Sequence, residues 1–219
     1  MLEYTKYRRE ATKNKEKNID TAIKLLKPHL KKGDLLITKP NLSSIKIKLF
    51  NLPSYFISLF SKGMTHSTIY DGKGNVVDLD FRLRESLKKI PLKNFLRSKY
   101  KKFKGITVYI AQPRIYTDKN RSDVGKVLDG LLKKSKDIGF SVRQYFFMLY
   151  WAIVKGIRYN NIYKLKTKQY NLKKVVCSTL NAYILKLGGV KLGTRPLVSF
   201  LPSTFIFSKY FKLKKKIKI

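Results

Sequence analysis

The chain has 219 residues, enough for one domain with insertions or arms, and carries 49 Lys and Arg against 13 Asp and Glu, a formal charge of +36. An apolar share of 43%, with 13% aromatic residues, can build a core and excludes a disordered polyelectrolyte. One cysteine excludes an internal disulfide and, with only two histidines, leaves no set of residues for a cysteine-rich zinc site, so no metal or other cofactor is called for.

In chain order, residues 1–29 read as a basic N-terminal arm with a helix. Ile19, Ala22, Ile23, Leu26 and Leu30 recur at helical spacing from 18 to 31, interrupted at Pro28. Gly33-Asp34 punctuates, and Leu35 to Thr38 form a short strand ending near Pro40. The stretch 41–64 reads as an insertion or lid. Residues 64–80, "MTHSTIYDGKGNVVDLD", read as a β-hairpin: a β-branched and aromatic strand, a glycine-rich turn and a return strand. Period-two alternation places His66, Thr68 and Tyr70 on one face and Ser67 and Ile69 on the other. Residues 85–97 read mostly as a connection with a short helix. "KGITVYIAQP" (104–113) is a third strand, and "DKNRSDVGKVLDGLLKKSKDIG" an amphipathic helix ending at Gly139. A second helix is expected over roughly 141–157, then a basic loop. A helix that opens at Cys177 closes at Gly188-Gly189, and 208–219 is set apart as a basic tail. The expected fold class is α+β, a small antiparallel sheet or half-barrel packed against helices.

No secretory signal is visible in the polar N-terminus, which points to a cytoplasmic or virion-associated protein. The most apolar run, "QYFFMLYWAIV" (144–154), is 11 residues between Arg143 and Lys155, far short of the roughly 20 a membrane span needs. No transmembrane helix is expected. From Ile138 to Ile219 there is no Asp or Glu, while 17 Lys and Arg occur. Any acid the protein uses comes from the first 137 residues.

Three residues draw attention for chemistry. Cys177 falls at the first turn of an apolar helix, where the dipole and free N–H groups favour a thiolate and can donate to an oxyanion. A lone cysteine also packs well as a small apolar residue. His66, on a strand, suits a base held rigidly within reach of a thiol, or a core histidine bonded to backbone. Asp78 lies on the return strand of the same hairpin and can orient the far ring nitrogen of His66, with Asp80 on the same face as the fallback; a solvated strand face is the plain alternative. His29, beside Pro28 in a Lys-rich helix, reads as solvated or partly buried.

The order "KGDLLIT", "THSTIYDGKGNVVDLD", "VVCSTLNAYILKLGG", "TRPLVSFLPSTF" resembles the circularly permuted NlpC/P60 superfamily, which is papain-like and includes YiiX-type and lecithin:retinol-acyltransferase-like proteins. There the histidine strand precedes the cysteine helix. The resemblance covers roughly residues 30–207 and implies a permuted papain-like domain over that range. It implies Cys177 as nucleophile and backbone oxyanion donor, His66 as general base and acid, and Asp78 as the third residue. Thr68 stands where the family usually has a small residue.

The resemblance implies a cysteine hydrolase, peptidase or acyltransferase acting on an amide, ester or thioester in a cell-wall peptide, a lipid or a protein side chain. Two other readings remain open. One is a polyanion-binding structural protein on the same fold, of a kind that is packaged in a virion with nucleic acid. Its contacts would be Arg97, Lys99, Lys101, Lys102 and Lys104; Lys164, Lys166, Lys168, Lys173 and Lys174; and Lys212, Lys214, Lys215, Lys216 and Lys218, in three basic runs, the first two with aromatic residues among the cations. The other is a lipid-modifying enzyme at a membrane surface, with 42–60 lying on the bilayer. The expected partner in each case is an anionic polymer or surface: nucleic acid, anionic lipid or cell wall.

Overall fold

The computed structural model describes residues 16–41, 58, 61–80, 86–103, 105–141, 143–144, 174–193, 197 and 200–219. Six strands form one antiparallel sheet: β1 (Leu35–Pro40), β2 (His66–Tyr70), β3 (Asn75–Asp78), β4 (Lys88–Pro91), β5 (Ile106–Pro113) and β8 (Phe211–Lys218). Their spatial order is β4-β3-β2-β1-β5-β8. A two-residue parallel pair, β6 (Gly139–Phe140) with β7 (Lys174–Val175), lies apart from the sheet and leads directly into Cys177.

Alternation along the strands divides the core in two. Leu35, Ile37, Ile69, Val77, Leu79 and Ala111 face one side, against Val124 and Leu128 of α3 (Asp118–Lys133), Leu180 and Ile184 of α4 (Cys177–Leu187) and Phe205 of α5 (Thr204–Phe207). Leu36, Tyr70, Val76, Val108 and Ile110 face the other. They pack on Ile19, Ala22 and Leu26 of α1, helical over 16–26, and on Leu92, Phe95, Leu96 and Phe103 of α2 (Leu92–Phe103). The protein is therefore α+β, with helices on both faces of a small antiparallel sheet. Helix α1 gives way at Pro28 to a 3-10 turn, Lys27–His29, as the missing N–H of proline requires.

Turn chemistry sets the hairpin. Gly72 and Gly74 adopt φ of +85° and +89°, a region that favours glycine. Asp71 accepts from the backbone N–H groups of Lys73 and Asn75 at 2.7 and 3.0 Å, locking the reversal between β2 and β3. The resulting register pairs Ile69 with Val77 and Tyr70 with Val76. That register puts His66, Thr68, Asp78 and Asp80 on one face.

Three expectations change. The 85–97 stretch is not mainly a connection: it holds β4 and the start of the twelve-residue α2, whose buried stripe is interleaved with lysines. The amphipathic helix α3 stops at Lys133, and a 3-10 turn, Ser135–Asp137, carries the chain on to Gly139. The basic tail is a strand: β8 pairs with β5 from Thr107↔Lys218 to Pro113↔Phe211. Phe211 and Ile217 supply its buried anchors. Residues 42–57, most of the 41–64 insertion or lid, lie outside the described residues, as do most of the 141–157 helix and the loop after it. Among the described residues, no helix is long and apolar enough to cross a membrane.

Candidate active site

Cys177 is the first residue of α4, and His66 the first of β2. The two elements pack together. Asn181, one turn after Cys177, donates through Nδ2 to Ser67 Oγ at 3.0 Å in a buried hydrogen bond, fastening the cysteine helix to the strand beside His66. At its far end α4 meets α3 so closely that a Cβ on Gly188 would lie 2.3 Å from Val124 Cγ2; Asn120 Nδ2 donates to Gly188 O at 3.0 Å. At its near end Gln144 accepts from the Val176 N–H through Oε1 at 3.2 Å and donates to Thr179 Oγ1 at 3.0 Å. The side chain of the N-cap residue, Val176, makes no capping hydrogen bond, and the first-turn N–H groups point toward the cysteine end.

The thiol of Cys177 is free and buried, and the His66 ring and the Ser67 backbone N–H are the groups that favour its ionised form. His66 Nε2 contacts Asp78 Oδ1, both groups being buried. With Nε2 committed to the carboxylate, Nδ1 is the ring nitrogen left for sulfur. The structure thus brings Cys177, His66 and Asp78 together: a buried thiol, an imidazole whose charge acts on it, and a carboxylate in contact with that imidazole. Asp80, the fallback, is taken elsewhere: Lys99 Nζ lies 3.0 Å from its Oδ2.

The electrostatics follow from burial and pairing. Burial by itself pushes the His66 imidazolium down, but the charge and hydrogen bond of Asp78 together with the Cys177 thiolate outweigh it and raise the pKa to about 10. Burial pushes the Cys177 thiol up, and the charge and hydrogen bond of His66, with the Ser67 N–H, bring it below the ordinary thiol value. Burial also opposes the Asp78 carboxylate, and His66 and Lys99 hold it below the usual range. Thiol and imidazole titrate as a pair, and the charge of each favours the ionised form of the other, thiolate with imidazolium. Such a pair can attack an acyl carbon and return a proton to a leaving group.

Two site residues carry no signal in the sequence. Gln144 is one; its only hint is its place at the edge of an apolar run. Lys99 is the other, and here an expectation is corrected. Assigned to the polyanion-contacting set, its side chain is only 5% exposed and paired with Asp80, so it is not available to an external polyanion.

The rest of that set divides. Lys101, Lys102, Lys212, Lys216 and Lys218 are exposed, and Lys215 is partly buried. Arg97 is exposed but makes two hydrogen bonds to Glu16, at 2.9 and 2.8 Å. Lys214 turns inward to Asp34 at 2.8 Å. Lys174 lies in β7. Lys104, Lys164, Lys166, Lys168 and Lys173 lie outside the described residues. Among the described residues, no group of three His, Cys, Asp or Glu could hold a metal ion.

No protein-family model matches the chain, and no curated protein or solved structure is significantly similar to it.

Proposed function

We propose that the protein is a cysteine acyl-transfer enzyme, a hydrolase or acyltransferase acting on an amide, ester or thioester, and a divergent relative of the permuted papain-like NlpC/P60 proteins. The observation that carries this reading is the chain Cys177–His66–Asp78, drawn from a helix and two strands and buried from solvent. The order of the pieces, histidine strand before cysteine helix, supports the family assignment.

In this reading the Cys177 thiolate attacks the acyl carbon. The oxygen takes up negative charge beside the first-turn N–H groups of α4. His66 passes its Nδ1 proton to the leaving amine, alcohol or thiol as the C–N, C–O or C–S bond breaks, leaving a thioester on Cys177. Neutral His66 then takes a proton from water or an acceptor nucleophile, which attacks the thioester and releases the thiolate. Asp78 keeps the ring oriented in both half-reactions. The charge of +36 favours substrates carried on an anionic polymer or surface.

Simple acyl donors test the reading. On incubation with a p-nitrophenyl ester, an acyl thioester and an acyl anilide at neutral pH, a burst of leaving group equal to the enzyme concentration is expected from at least one donor. Peptide mapping should place the acyl group on Cys177, and Cys177→Ala should abolish the burst. Acylation confined to lysines, equal in the variant, contradicts the proposal.

A further inference from the structure

The buried stripe of α2 runs Leu92, Phe95, Leu96, Lys99, Phe103, so a lysine occupies a position where the helix period calls for an apolar residue. Its ammonium group lies 3.0 Å from Asp80 Oδ2 and 5.4 Å from the centroid of the Phe95 ring, and that ring is 6.2 Å from the ring of His66. Replacing a buried ion pair with apolar side chains is often neutral or stabilising, so stability alone gives little reason for a lysine here. Asp78 and Asp80 stand two residues apart on the face that carries His66. Both are potential partners for its ring.

We propose that Lys99 is a positioning residue of the Cys177–His66 pair: its ammonium group holds Asp80 away from the imidazole and leaves Asp78 as the single carboxylate that orients the ring. This rests on the acyl-transfer reading of the site. Among the described residues, the charged and titratable groups in this cluster are His66 from β2, Asp78 from β3, Asp80 just beyond it and Lys99 from α2, with Lys102 adding positive charge near Asp80. Two carboxylates against one imidazole would make His66 a proton trap, slow to release its proton to a leaving group. Lys99 offsets one of them. Its charge acts downward on the His66 pKa, and Cys177 is among the groups that favour its charged form.

The pH dependence of Cys177 alkylation by iodoacetamide reads this directly. Lys99→Met removes a positive charge, so every proton in the cluster is held more tightly; the acid limb, where thiolate forms, should move up by roughly one pH unit. Asp80→Asn should move it down, and the charge-compensated double variant Lys99→Met/Asp80→Asn should return it close to wild type. Lys99→Arg should keep the wild-type limb. A Lys99→Met limb that coincides with wild type overturns the inference. If Lys99→Met does not fold, Asp80→Asn decides, and an unmoved limb there overturns it equally. The two proposals fail separately. A wild-type protein whose alkylation is indifferent to His66 defeats the acyl-transfer reading, whereas a His66-dependent limb that ignores Lys99 and Asp80 defeats only the role of Lys99.

Discussion

Replacing His66 with alanine should slow alkylation of Cys177 at pH 7 by roughly tenfold to thirtyfold. In the intact site burial opposes the thiolate, and the imidazolium charge, its hydrogen bond and the Ser67 N–H outweigh that opposition. Without the imidazole the thiol returns at least to an ordinary pKa of about 8.5, leaving only a few per cent thiolate at pH 7. The lost thiolate is partly offset because a more basic sulfur is a stronger nucleophile, which holds the effect near the lower figure. Any turnover should fall further, because general acid–base assistance by the ring contributes about 10²- to 10⁴-fold in its own right. The check is pseudo-first-order labelling followed by mass spectrometry, with near-UV circular dichroism to show that the variant is folded. Asp78→Asn should act in the same direction with a smaller effect, since it removes the charge that keeps the ring protonated while leaving a hydrogen-bonding partner.

Replacing Asp34 with alanine should cost about 3 kcal/mol of stability, the low end of what breaking a buried ion pair costs. Asp34 is inaccessible to solvent and binds three elements at once. It accepts from Arg121 Nη1 of α3 at 3.0 Å, from Lys214 Nζ of β8 at 2.8 Å and from the Lys31 N–H at 3.0 Å. Removing the carboxylate strands two cations beside each other in a chain that already carries +36. The partners are 13% and 18% exposed, so water relieves part of their loss, which is why the low end applies. For a chain of this size the midpoint of thermal unfolding should drop by roughly 10 °C. Lys214→Met should cost less, because Asp34 keeps Arg121. A loss under about 0.5 kcal/mol in Asp34→Ala contradicts the view that this aspartate ties β8 and α3 to the sheet.

How much of this was legible in the sequence differs element by element, for physical reasons. The hairpin is legible because β-branched residues alternate around a turn whose glycines have one conformational purpose, and His66, Asp78 and their shared face follow from that alternation. The cysteine helix is legible from the spacing of Leu180, Tyr183, Ile184 and Leu187 ahead of two glycines. The meeting of Cys177 with His66 is not a local property, since the residues come from opposite ends of the domain. Only a chain-wide order of motifs hinted at it. Strand β8 escaped notice because five of its eight residues are lysine and its pairing partner, β5, lies about a hundred residues earlier. Helix α2 hid in a basic run for the same reason. Lys99 is indistinguishable in composition from Lys101 and Lys102. What separates them is a carboxylate 19 residues upstream and the 3.6-residue period that turns position 99 inward.

The charge state of His66 tests the site most directly. With only two histidines in the chain, ¹⁵N NMR of imidazole-labelled protein gives two ring systems, and His29→Gln assigns them. His66 should remain protonated through neutral pH and titrate near 10, its raised value being the mark of Asp78 on one side and the Cys177 thiolate on the other. By linkage, this pairing adds stability that is complete below the unfolded value of about 6.5 and is lost as pH rises through about 10. A His66 ring that titrates near 6.5 in the folded protein, and does so unchanged in Asp78→Asn, contradicts the ionised Cys177–His66–Asp78 site.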